Sequence, residues 1–177
     1  MPKTKYAAFL RGINVGGNKM IKMTDLAKAF ESLGFSNVKT LIQSGNVIFE
    51  SAPKGEEKLT NEIAKKLEAM AGWPVDVFVM EVAELKLLVE ANPFAKAKSG
   101  ANGKKYITLY HGEMDAKSKL LRQDDVEIVK IDSGKLYWVA LQGKDGRSRM
   151  PRILNVKPWV GATTTRNWNT IQKIIAE

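Results

Sequence analysis

The residues able to do chemistry in this chain gather in three short stretches. The first is Arg11-Gly12-Ile13-Asn14-Val15-Gly16-Gly17-Asn18-Lys19. Its three glycines leave backbone N–H groups uncovered, and Arg11, Lys19 and Lys22 add positive charge, so such a loop can cradle a phosphate or a carboxylate. Gly12 and Gly17 have the separation of P-loop glycines, but Asn18 stands where the lysine belongs and no Ser or Thr follows Lys19. The dinucleotide-binding glycine pattern is not met either. The plainer reading of these residues is a tight surface loop that needs glycine for its backbone geometry.

The second stretch, Gln43-Ser44-Gly45-Asn46, lies between two apolar runs. Hairpin-turn chemistry accounts for it, and its polar side chains could equally face a ligand. The third is Thr163-Thr164-Thr165-Arg166-Asn167-Trp168-Asn169-Thr170. It is expected to open the last helix, where hydroxyls, free helix N–H groups and Arg166 would suit an anion. Trp168, Ile171 and Ile175 recur at helical spacing and are expected to face the core, with Arg166, Asn169 and Lys173 on another face. A well-capped helix with a solvated polar stripe would have the same pattern. Upstream, Arg147-Ser148-Arg149 precedes a predicted helix start and offers a second cationic pocket.

These stretches supply one candidate ligand set. Arg11, Lys19, Arg149 and Arg166 would neutralise charge. Asn14, Gln43, Ser44, Asn46, Asn167 and Asn169 would orient a ligand by hydrogen bonds, with Gly16 and Gly17 giving backbone access. Catalytic residues are not assignable. The one histidine, His111, has no evident partner, and adjacent Asp124 and Asp125 do not aim both carboxylates at one substrate. Without cysteine, disulfides, thiolate chemistry and cysteine-ligated zinc are excluded, and a single histidine excludes a multi-histidine metal site. No metal or cofactor is expected, and no nucleophile elbow appears.

Charge is unevenly spread. Residues 1–28 hold six basic and one acidic residue, and residues 142–177 hold seven and two. The middle holds fifteen basic and sixteen acidic residues, so the termini carry all the excess of a chain with net charge +9. Brought together, the ends would make one positive field that attracts anions; kept apart, they would be two solvated patches.

The elements that must position these residues read as an α+β chain. Tyr6 to Leu10 is a buried strand, and residues 12–23 are a glycine-rich loop. A helix is expected from Thr24 as N-cap, with Leu26, Phe30 and Leu33 on one face. Val38–Ile42 and Val47–Phe49 are strands, a helix covers about 56–71 and stops at Gly72, and a strand covers 75–80. The second half begins with a helix near Val82 that ends at Asn92-Pro93, followed by an exposed loop at 95–104. Then come a strand at 106–110, a short helix near 117–122, a hairpin of 126–131 and 136–141 around Asp132-Ser133-Gly134, and a helix from Thr165. The first half is βαββαβ, the ferredoxin-like split βαβ plan; the second is βαββα with added helices. The expected domains are residues 1–80 and 81–177. The apolar run at Tyr6–Leu10 is too short for a signal-peptide core, and no stretch approaches a membrane span. The chain is therefore expected to be cytoplasmic, with no membrane partner.

FLRGINVGG at 9–17, IQSGNVIF at 42–49, ANPF at 91–94 and TTTRNWNTI at 163–171 resemble the signature of a widespread bacterial family. It is catalogued as domain of unknown function number sixteen-ninety-seven. The resemblance implies two ferredoxin-like α+β halves, and it brings no activity, cofactor or catalytic residue with it. The family pattern has Gly-x-Ser-Lys near residue 148. Here Arg149 replaces that lysine, which keeps the charge and changes the geometry. Three functions remain open on this reading: binding of a small phosphorylated or carboxylated ligand, by a binding module or an enzyme; nucleic-acid binding; and a structural or partner-binding role. The nucleic-acid reading has the fold plan and basic charge in its favour. Against it, Gly45-Asn46-Val47-Ile48-Phe49 lacks the two exposed aromatics of an RNA-recognition strand.

Overall fold

Tyr6, Ala8 and Leu10 alternate with Ala7 and Phe9 along strand β1 (Thr4–Leu10), and both sets are buried. A strand with no wet face belongs in the interior of a sheet rather than at its edge. The computed structural model, which describes residues 2–15, 17, 19–43, 45–98, 103–114, 126–141 and 159–177, places it there. After β1 come helix α1 (Met23–Glu31), strands β2 (Ser36–Leu41) and β3 (Asn46–Ser51), helix α2 (Glu56–Ala71), strand β4 (Val77–Glu81) and helix α3 (Val82–Glu90). The second half holds β5 (Gly103–Tyr110), β6 (Glu113–Met114), β7 (Val126–Asp132), β8 (Lys135–Leu141), β9 (Trp159–Val160), β10 (Thr163–Asn167) and helix α4 (Trp168–Ala176). No helix among the described residues is long and apolar enough to cross a membrane.

The chain divides into two compact units, Met1–Leu87 with Ile174–Glu177, and Leu88–Lys173. In the first, the antiparallel sheet runs β2-β3-β1-β4, the ferredoxin-like order. Tyr6, Ala8, Leu10, Val47, Phe49, Val77 and Val79 share one sheet face and pack with Leu26 and Phe30 of α1 and Leu59, Ile63 and Leu67 of α2. Phe49 is the hub, with ring centroids 5.6 Å from Tyr6, 5.3 Å from Phe30 and 4.5 Å from Phe35. Helix α2 matches its apolar spacing and ends on Gly72, a left-handed C-cap whose N–H bonds the Glu68 carbonyl at 2.8 Å. Helix α1 differs from expectation. It starts at Met23 with Lys22 at the cap position and no side-chain cap bond, so Thr24 lies inside the helix.

In the second unit the antiparallel sheet runs β10-β5-β8-β7. Numbered within the half, this is again fourth, first, third, second. Residues 163–167, expected as a helix start, are the fourth strand, and they turn the anticipated βαββα into a second ferredoxin-like half. The expected short helices near 117–122 and after Ser148 lie outside the described residues.

The two halves repeat each other at the level of single bonds. Tyr6 pairs with Phe49 across β1 and β3, and Tyr106 pairs with Trp138 across β5 and β8. Both pairs are stacked, at 5.6 and 4.5 Å. Leu10 N–H donates to the Gly45 carbonyl at 2.8 Å, and Tyr110 N–H to the Gly134 carbonyl at 2.9 Å. The next residues match as well: Arg11 N–H bonds the Asp76 carbonyl at 2.9 Å and His111 N–H the Ala162 carbonyl at 3.0 Å. The α+β class with two ferredoxin-like halves thus holds, and the equivalence reaches residues whose side chains share little.

Candidate functional site

The glycine-rich loop after β1 and the turn between β2 and β3 meet at one end of the first sheet. Asn14 joins them. Its side-chain oxygen accepts from Ile21 N–H at 2.8 Å, and its amide donates to the carbonyls of Ile21 at 3.0 Å and Gln43 at 3.1 Å. Asn14 N–H also donates to the Lys19 carbonyl at 3.1 Å, closing the loop on itself. Packing seals the junction. A Cβ on Gly45 would stand 2.9 Å from both the Leu10 Cβ and the Ile13 Cδ1. Gly45 therefore provides close approach as well as the φ of +75° that its turn requires.

Among the described residues of the paired loops, Asn14, Lys19 and Ile42 are non-glycine residues in left-handed conformation, with φ of 56°, 54° and 59°. Asparagine tolerates that region; a β-branched isoleucine is strained there. Local strain of this kind persists only where the surroundings enforce it, and it collects at working sites. Ile42 also points outward. It is 53% exposed, Val15 67% and Met20 62%, so three large apolar side chains stand in water on the same pair of loops. Arg11, Lys19 and Lys22, on or beside the glycine-rich loop, are exposed as well. Arg11 faces Asp76 at 3.4 Å, a half-exposed pair that holds the guanidinium loosely.

Not every candidate from the sequence faces this surface. Gln43 and Gly17 are exposed, while Asn46 is fully buried and its amide donates to the Leu41 carbonyl at 3.0 Å, bracing the turn from inside. Gly16, Ser44 and Arg149 lie outside the described residues. The third stretch belongs to the second unit. Arg166 is not at a helix start: it is the fourth residue of β10 and only 7% exposed. Its guanidinium donates to Thr164 Oγ1 at 2.8 Å and to the Thr165 carbonyl at 2.9 Å, and burial pushes its pKa down to about 10. Asn167 does cap a helix. Its Oδ1 accepts from Asn169 N–H at 2.9 Å, placing it as N-cap of α4, while Asn169 is exposed in the first turn. The buried seam of α4 is Trp168, Ile171 and Ile174, with Ile175 only partly covered, which corrects the expected register.

The apolar members Val15, Met20 and Ile42 were not among the expected site residues. A lone Val, Met or Ile in a sequence signals a core position, and only solvent exposure separates these three from the core set. Among the described residues, no group of His, Asp or Glu is placed to hold a metal ion.

Comparison with known proteins bears on family and fold. Among curated proteins none matches. A solved structure, that of the conserved bacterial protein SP0830 from Streptococcus pneumoniae, superposes with a TM-score of 0.75 at 21% identity, over 99% of this chain and 98% of that one. It shares the fold. The family model described as "Protein of unknown function (DUF1697)" matches residues 3–137, a span holding the loop pair, the ANPF stretch and most of both sheets. Over that span the chain belongs to the DUF1697 family.

Proposed function

We propose that the paired loops of the first unit bind an anionic ligand, with Arg11, Lys19 and Lys22 supplying charge and Gln43 a hydrogen-bonding side chain. The observation that carries this reading is the Asn14 bridge. It fixes two polar, glycine-bearing segments, distant in sequence, into one surface whose cationic side chains are exposed. Preorganisation of this kind lowers the entropy lost on binding. Arg166 and Asn46 are left out of the ligand set because both are buried and bonded within their own sheets. The test is mass spectrometry of small molecules retained by protein purified from its own host, followed by titration of the released compound. Lys19→Ala and Lys22→Ala are expected to weaken it without changing the melt of the free protein. A protein that retains nothing, and whose melt is unmoved by phosphate or citrate, would end this reading.

A second reading, docking of an acidic protein partner, is favoured by one feature: Val15, Met20 and Ile42 are exposed on the same loops that carry exposed basic residues. Here Val15→Ser and Met20→Ser would reduce binding more than loss of charge does. Nucleic-acid binding has less support. Phe9, Phe49 and Phe78 of the first sheet are all buried and offer no stacking platform there. A steep loss of oligonucleotide affinity with rising salt would revive it.

A further inference from the structure

The ANPF stretch, which the loop-pair reading leaves unused, borders an open cavity of about 250 Å³ inside the second unit. Leu88, Ala91 and Pro93 give it apolar walls, and Tyr137, Lys96 and Lys130 complete the lining used below. The turn is firmly seated. Phe94 is buried in an edge-to-face trio, 5.1 Å from the Trp168 ring and 6.1 Å from the Tyr137 ring. Asn92 takes the left-handed conformation, and its carbonyl accepts from Ala95 N–H at 3.0 Å.

Lys130 is at the cavity because of a defect in the sheet. Ile128 pairs with Trp138, and in an unbroken ladder Val129 would come opposite Tyr137. The register shifts between Ile128 and Lys130, so Lys130 takes that place and shares a face with Tyr137. A bulge of this kind commonly re-aims a side chain beside a site. Asp132 Oδ2 lies 2.6 Å from Lys130 Nζ and steadies it. An ammonium has three N–H donors, so this pair does not exhaust it.

We infer that this cavity binds a small organic carboxylate, its apolar body against Leu88, Ala91 and Pro93 and its charge between Lys96 and Lys130. Two lysines less one aspartate leave a single net positive charge, which suits a monoanion better than a phosphate dianion. The volume falls just under the roughly 300–1,000 Å³ typical of drug-sized ligands, so the occupant is small. The cavity lining lies in the second unit and the loop pair in the first.

The test is a ¹H–¹⁵N NMR titration of the full chain with hexanoate, using acetate and 1-hexanol as comparators. Hexanoate is expected to shift the amides of Ala91, Asn92, Lys96, Lys130 and Asp132 saturably. Acetate lacks the body and hexanol the charge, and each should bind at least about tenfold more weakly, the worth of one charged hydrogen bond. Lys96→Ala, an exposed position that leaves folding intact, should weaken hexanoate by a similar factor, and Ala91→Trp should block it. Lys130→Met is the second charge variant, chosen to keep the apolar stem. No saturable shift at those amides, equal binding of hexanol, or indifference to both lysine substitutions would overturn the proposal.

Discussion

Asn14 and Gln43 are joined by a 3.1 Å hydrogen bond between segments 29 residues apart, the same asparagine that clasps both backbone groups of Ile21. One side chain thus holds the glycine-rich loop closed and ties it to the β2–β3 turn. Asn14→Ala should cost about 2–3 kcal/mol, from three lost bonds and a left-handed alanine. Asn14→Asp keeps the bond from Ile21 N–H but sets a carboxylate oxygen against the Ile21 and Gln43 carbonyls in place of the donor, so it should also destabilise the protein in denaturant melts and release Gln43, visible as a shift of nearby amides. A free-energy change below about 0.5 kcal/mol for Asn14→Ala would show that the loops are held by something else.

Two glycines with left-handed φ in this region should respond differently to alanine. At Gly45 the new Cβ meets Leu10 and Ile13 at 2.9 Å, so strain and overpacking add, and a loss of about 2–4 kcal/mol is expected. At Gly12 nothing lies within 4 Å, and only the backbone cost of about 1–2 kcal/mol applies. Equal losses in a urea melt would contradict the close packing of turn on loop.

Ile42 is strained and half in water, so replacing it should help the free protein. Ile42→Asn, which tolerates φ near +59°, is expected to gain up to about 1 kcal/mol. If the apolar trio serves binding, the same variant should bind its partner less well, a trade of activity for stability. A destabilised Ile42→Asn would mean that its side chain supports the fold.

Arg166 allows a test through pH. Its folded pKa, lowered by burial to about 10, lies below the ordinary guanidinium value. Between the two the unfolded chain binds more protons, so the stability associated with Arg166 rises with pH across that window and is lowest below about pH 10. The stability of wild type relative to Arg166→Met should therefore be flat below about pH 10 and increase as pH rises above it. Arg166→Ala, which also opens space beside Thr164, should cost about 2–4 kcal/mol at neutral pH. A pH-independent difference would mean that the guanidinium is solvated.

On α4, Ile174→Ala should cost about 2–4 kcal/mol and Ile175→Ala distinctly less, measured by chemical denaturation. Trp168→Ala should cost about 3–5 kcal/mol, because its ring packs on Phe94 and Tyr137.

Much of the first half was legible in the chain itself. Leu59, Ile63 and Leu67 mark one face of a helix, Gly72 marks its end, and the apolar run from Tyr6 to Leu10 marks a central strand, because these signals act between residues near in sequence. For the same reason residues 163–167 read as a helix start in the sequence and are a strand in the structure. Three threonines before Arg166-Asn167 look like a capped helix start, and what makes them a strand is the long-range ladder to β5, with Thr165 opposite Thr108 and their hydroxyls 2.7 Å apart. That ladder also buried Arg166, which local polarity had assigned to the surface. The charged and amide residues of the loop pair could be named from their types, but their division of labour could not. Asn14 and Asn46 turn inward to brace the backbone, whereas Val15, Met20 and Ile42 turn outward, because which side of a loop meets water is decided by what packs beneath it. The register shift that sets Lys130 opposite Tyr137 left no local trace, since one extra residue in a strand is defined only against the strand it pairs with.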